Sequence, residues 1–289
     1  MRGRFQALLV TVAGAGSMMF CWISAAVLAL VTLRKGAGAG AWLLLWALLP
    51  AGTLLYFYGE SGPVALLVGT VALAMILRAT VNLPLAVLAS VAVGGLTGLG
   101  LYAFNGPYLE QIVAAFGEFL ATLEQQLSQG GEPIVLARPG AIQIAGMLGV
   151  GTAMLAVLCL LLGRYWQAAL YNPGGFGDEF RTLYYPPVLG TGLGLGMIAL
   201  AGIGDQYRTW AMLCAVPLSF AGIALVHARA RVRGQGRGWL IGFYLAWLLF
   251  DPVKLLVVFI AIADSWLNFR QRWSAKAVTN IDERDKDED

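Results

Sequence analysis

Eight apolar segments, spread along the whole chain, limit what this sequence can fold into. They run over roughly 5–33, 41–58, 63–78, 84–104, 141–162, 188–203, 209–227 and 238–267. About 20 apolar residues cross a bilayer as α-helix, and lipid leaves each backbone polar group to be satisfied within its own segment. The expectation is an all-α, polytopic transmembrane helical bundle forming a single domain over residues 1–273. Only 12% of the 289 residues are charged, against about 25% in soluble domains. A soluble domain on one anchor is therefore excluded. The 37 glycines suit the same class, because small residues let membrane helices approach closely.

The first and last segments look broken. Gly14-Ala15-Gly16-Ser17 interrupts the first, and Asp251-Pro252 interrupts the last, where proline removes a helical donor and clashes with the preceding turn. A basic start and Ala37-Gly38-Ala39 imitate a signal peptide. The apolar run is too long for one, and Arg34-Lys35 precede the small residues, so a retained membrane segment is expected.

Orientation follows from the arginines and lysines of the connections. Arg34, Lys35, Arg78, Arg164, Arg181, Arg229, Arg231, Arg233 and Arg237 fall in odd-numbered connections, whereas only Arg138 and Arg208 fall in even-numbered ones. The odd connections are thus expected in the cytoplasm of a bacterial inner membrane. Arg2, Arg4, Arg270, Arg272 and Lys276 would also suit the cytoplasm, yet simple spanning by the end segments puts both tails outside. Either those broken segments fold back or lie partly in the interface, as discontinuous helices do in transporters, or the charge bias fails at one end. Connection 105–140 carries Leu109, Ile112, Val113, Phe116, Leu120, Leu123 and Leu127 at helical spacing, with Glu110, Glu118 and Glu124 opposite. An amphipathic helix without basic residues fits the extracytoplasmic side, where it either caps the core or rests on the bilayer. The charged run 274–289 is expected to be disordered.

Little of the sequence suggests chemistry. His227 is the only histidine, and Cys21, Cys159 and Cys214 lie apart in apolar segments. No metal site and no cofactor are expected, and general acid–base chemistry by histidine is disfavoured. The glycines at 190, 192, 194 and 196 lack a dinucleotide fingerprint's spacing and preceding strand, so they are expected to be a helix-packing face. No Walker A sequence is present. Positive charge sits in short loops, so no nucleic-acid partner is expected; the bilayer is the evident one.

The densest information lies in 164–187, RYWQAALYNPGGFGDEFRTLYYPP. Asn172-Pro173-Gly174-Gly175 is a strong turn signal. Before it, Arg164 begins a stretch in which Trp166, Tyr165 and Tyr171 suit the headgroup level. After it, Asp178 can pair with Arg181 across one turn, with Glu179 beside them, and Phe176 and Phe180 fall on one helical face. This cytoplasmic cassette is either a structured element that docks a partner or gates a cavity, or an aromatic anchor with a solvated ion pair. Asp251 and Lys254, near the middle of the last segment, form the second candidate site. At i, i+3 they either neutralise each other or mark a substrate or proton site. Asp264 and Asn268 are expected at the interface, and Arg78 and Asn82 to snorkel or cap.

NPGGFGDEFR after RYWQAALY, followed by DSWLNFRQRW at 264–273, resembles the YybS-like family of bacterial inner-membrane proteins. That family is distantly similar to the substrate-binding S-components of energy-coupling-factor vitamin transporters and to MreD-like cell-shape proteins. The resemblance implies a compact helical bundle. Ala25 and Ala29 match the Ala-xxx-Ala spacing by which S-components meet their transmembrane partner, a match that apolar helices also produce by chance. The expected function is a non-enzymatic small-solute binding or transport component, its ligand unknown, working with a partner ATPase or an ion gradient. The alternative is an MreD-like envelope scaffold that organises partner proteins.

Overall fold

A computed structural model describes residues 4–128 and 134–273; the charged tail 274–289 lies outside the described residues. The described residues form thirteen α-helices up to Leu267, a further helical stretch at 269–273, and no strand. Their order is α1 (Arg4–Ala15), α2 (Cys21–Lys35), α3 (Ala37–Tyr58), α4 (Gly62–Thr80), α5 (Leu83–Leu88), α6 (Ser90–Phe104), α7 (Gly106–Leu127), α8 (Ala141–Tyr171), α9 (Gly175–Arg181), α10 (Pro187–Ile203), α11 (Arg208–Val232), α12 (Arg237–Leu249) and α13 (Asp251–Leu267). Five are long and apolar enough to cross a membrane, taking α5 with α6 and the turn at 205–207 with α11, or six if α12 and α13 count as one bent span. The chain is thus a multi-pass membrane protein, with fewer straight spans than the eight apolar segments suggest. Segments one, six and eight account for the difference: each yields helices too short to cross alone, or a pair bent sharply at a break.

The centre of the bundle is α2. Six consecutive residues, Ser24 to Ala29, are buried, and α1, α3, α4 and α8 surround them. Small side chains allow this. A Cβ on Gly163 of α8 would stand 2.9 Å from the Ala26 carbonyl and 2.9 Å from the Ala29 methyl. The Ala25–Ala29 patch therefore faces the protein interior, where both side chains are wholly buried, and no partner can reach it. Arg78 donates to the Leu33 carbonyl (2.5 Å) and so covers the C-terminal end of α2, while the Asn82 side chain accepts from Leu85 N–H at the start of α5. Both are caps, as the sequence suggested.

Glycines also join α6 to α8. A Cβ on Gly94 would lie 2.6 Å from the Gly149 carbonyl, and one on Gly149 would lie 2.5 Å from that of Gly94. Gly98 meets the Ala145 carbonyl one turn on (2.8 Å). Two small-xxx-small faces, Gly94/Gly98 and Ala145/Gly149/Ala153, thus bring the two backbones together. In α10, Gly190 faces Ser265 and Gly194 faces Ile262, both on α13, so the glycine run is a packing face.

Both broken segments fold back. Ala7, Val31 and Lys35 line one cavity, Ser24 donates to the Thr11 carbonyl (2.8 Å), and Gly14 lies against Ser24, so α1 returns alongside α2 in the opposite direction. The start of α1 therefore sits beside Lys35. At the other end, α12 and α13 meet at Phe250 with a change of direction of 112°. α12 starts just after the Arg229–Arg233 cluster, and α13 ends where Tyr184 donates to the Ser265 carbonyl (2.7 Å). Both pairs thus begin and end on the arginine-rich face, which removes the conflict between the tails and the loop charges. On the opposite face, α7 touches the bundle through Tyr108, Leu109, Ile112 and Val113, and only Leu109 is buried. The Tyr108 hydroxyl donates to Glu60 (2.5 Å). Burial first, and then that carboxylate, push the phenol above its ordinary range, so it stays a donor. The rest of α7 stands away from the core, with Phe116, Phe119 and Leu127 exposed.

The adjacent glycines 94 and 95 give a direct test of the close approach. A Cβ on Gly95 would meet nothing within 4 Å. Gly95→Ala should leave thermal unfolding in detergent unchanged or raise stability by up to about 1 kcal/mol through helix propensity. Gly94→Ala should cost about 1–3 kcal/mol, because the methyl overlaps the Gly149 carbonyl and the Leu213 side chain. Equal effects at the two positions would refute the α6–α8 contact.

Candidate functional site

The cassette folds as α9 held against the end of α8. Asn172-Pro173-Gly174 turns the chain, with Gly174 in the left-handed region (φ 90°), where a side chain is strained. A Cβ on Gly175 would run into the Asn172 side chain, 2.3 Å away. Arg164 then reaches across the turn to Glu179, 2.7 Å away, both side chains about one quarter exposed. Asp178 and Arg181 pair as their spacing predicts. Phe176 and Phe180 stack with ring centroids 6.0 Å apart. Tyr171 lies under the Arg34 guanidinium, 4.7 Å from its ring centre, which ties the end of α8 to α2. Trp166 takes a different place from the one expected: it is half-buried against the core and does not sit as a headgroup anchor.

From these residues a ladder of rings runs across four helices. Tyr165 of α8 meets Phe176 edge-on (5.9 Å), Phe176 stacks on Phe180, and Phe180 meets His227 of α11 edge-on (5.7 Å). His227 Nε2 then shares a hydrogen bond of 2.7 Å with the Tyr244 hydroxyl of α12. The ladder forms the upper wall of an apolar groove of about 460 Å³, closed below by Met154, Leu158, Phe220 and Trp247. A second, polar chamber lies on the other side of Tyr165 and Phe176. It has about 670 Å³ and is bordered by Pro173, Gly174, Asp178, Arg181 and Arg231. The indole N–H of Trp247 is buried beside the groove with no acceptor among the described residues.

Sequence reasoning missed His227, Tyr244 and Trp247, because no spacing rule links residues on three separate helices. The charges of the last segment lie away from the groove. Asp251 and Lys254 pair, Lys254 Nζ donating to Asp251 (2.7 Å), in the first turn of α13, with side chains 89% and 41% exposed. Neither borders the groove. The buried acid is Asp264, expected at the interface. It accepts from the Phe269 N–H (2.8 Å) and stands 3.4 Å from Arg270, which also donates to the Ala221 carbonyl (3.3 Å). With Tyr184 on Ser265 and Tyr185 donating to the Pro84 carbonyl (3.0 Å), these bonds clamp the outgoing end of the cassette. Asn268, at φ 46°, ends α13 in the left-handed conformation. Among the described residues no group of three histidine, cysteine or acidic side chains could hold a metal ion.

No protein-family model matches the chain, and no curated protein or solved structure is significantly similar to it.

The Arg164–Glu179 pair should hold α9 in place. Arg164→Ala removes one partner of a mostly buried pair and is expected to loosen the cassette by about 1 kcal/mol or more. Limited proteolysis should then cut near Gly174 several times faster while the helical circular-dichroism signal is retained. Arg164→Lys should restore part of the protection. An unchanged cleavage rate in Arg164→Ala would show that the pair does not carry the docking.

Proposed function

We propose that this chain is a bacterial cytoplasmic-membrane protein, arginine-rich face inward, that binds a small solute in the aromatic groove between α8, α9, α11 and α12 and is not itself an enzyme. The observation that carries the reading is the groove itself. Its size falls within the few hundred cubic ångströms typical of ligand pockets, its walls are apolar and aromatic, and few polar groups converge on it. The cassette supplies Phe176 and Phe180 to the wall, so a movement of α9 would open or close the site. This favours the gating role for the cassette over a simple anchor. In this reading the chain resembles an S-component, and active transport would draw on a partner ATPase or an ion gradient, since the sequence carries no Walker motif. The YybS-like resemblance of the cassette is consistent with this role.

Native purification followed by mass spectrometry is the deciding experiment. A co-purifying small molecule or ATPase module is expected. Cytoskeletal or cell-wall proteins alone would favour the MreD-like scaffold and overturn the solute-binding reading. Orientation has its own test. In a cysteine-free background, Arg233→Cys should be labelled by a membrane-impermeant maleimide only after the membrane is opened. Labelling in intact cells would reverse the assigned sides.

A further inference from the structure

The groove lies beside hydrocarbon. Met154 and Leu158 sit near the middle of α8, well inside its apolar span, and Leu158 is half-exposed although it borders the cavity. On the far side, α12 buries none of its residues and is tied to α11 by the Tyr244–His227 hydrogen bond. The cleft between α12 and the α8–α11 wall is therefore open sideways, at the depth of lipid tails. A water-soluble ligand would have to cross the ring ladder to reach it, whereas a molecule dissolved in the bilayer can slide in.

The polar chamber continues the same path toward the arginine-rich face. Tyr165 and Phe176 border both spaces. Of the chamber's charges, Asp178 is matched by Arg181 and Arg231 has no ion pair among the described residues, so these leave one positive charge uncompensated there. From Met154 to Ala168, α8 rises about 21 Å. That exceeds the half-thickness of a hydrocarbon core, about 15 Å, so a chain and its headgroup fit end to end along this helix.

Resting on the solute-binding reading above, we infer that the ligand is a lipid with an anionic phosphate headgroup, its acyl chain in the groove and its phosphate in the chamber at Arg231 and Arg181. Aromatic walls suit the chain, and guanidinium groups suit the phosphate oxygens.

The test uses the full chain in phosphatidylcholine vesicles containing trace phosphatidylglycerol with a photoactivatable acyl chain. The comparison probe is phosphatidylcholine carrying the same chain. Anionic probe should label peptides from 154–165 and from α12 about fivefold more than the zwitterionic one, the effect of one basic residue near a membrane surface. Arg231→Gln should remove that preference, and Arg231→Lys should retain most of it. Leu158→Trp, which fills the groove, should abolish labelling there with either probe. Glycerol phosphate in the buffer should not compete.

Even labelling over all exposed helices, equal labelling by the two probes, or an unchanged preference in Arg231→Gln would overturn the inference. Displacement by glycerol phosphate would point to a free phosphate ester and overturn it too. A neutral molecule co-purifying in the groove without lipid labelling would overturn the lipid assignment and leave solute binding standing. A groove that takes neither would remove both.

Discussion

Close approach of backbones is the constraint on which the rest of this structure depends. Lipid tails are as apolar as leucine, so helices in a bilayer gain little by hiding apolar side chains and associate by packing and polar contacts instead. Glycine and alanine supply that packing here. Gly94 and Gly149 put α6 and α8 in backbone contact, and Gly163 seats α8 on α2 between Ala26 and Ala29. α8 is thereby fixed along most of its length. Its 31 residues rise about 46 Å, longer than a hydrocarbon core, so its last turns emerge and carry Arg164, Trp166 and Tyr171 to the arginine-rich face.

The cassette inherits its position from that rigid support. Arg164 and Tyr165 project from this closely packed helix, and they hold Glu179 and Phe176 of α9. α12 has no comparable support. It lacks buried residues and bends away from α13 by 112°. The groove therefore has one firm wall and one loosely held wall, a combination suited to admitting a ligand from the side.

What the sequence reveals follows the range of the interactions. Helices, the two breaks, the α10 glycine face, the Asp178–Arg181 pair and the Phe176–Phe180 stack all depend on residues within a turn or two of each other, and periodicity exposes them. Arg164–Glu179, Arg34–Tyr171 and His227–Tyr244 join different elements, and no spacing rule announces them. Asp251 and Asp264 show a subtler limit. Distance from the ends of an apolar run measures depth along the chain. Burial is decided by neighbours, and Asp264 is 2% exposed whereas the Asp251 side chain is 89% exposed.

The α1–α2 hairpin bears on the order in which the bundle is built. Twelve residues of α1 rise only about 18 Å, too little to cross the hydrocarbon core. At the break after α1, Gly16 lies close to α3: a Cβ added there would stand 3.3 Å from the Pro50 ring. Non-helical backbone at such depth is tolerated only against protein or water. The end of α1 therefore has its packing partner only once α3 is in place. Although α1 precedes α3 in the chain, it depends on α3 for its seat, so the order of the helices in sequence is not the order in which their contacts can be completed.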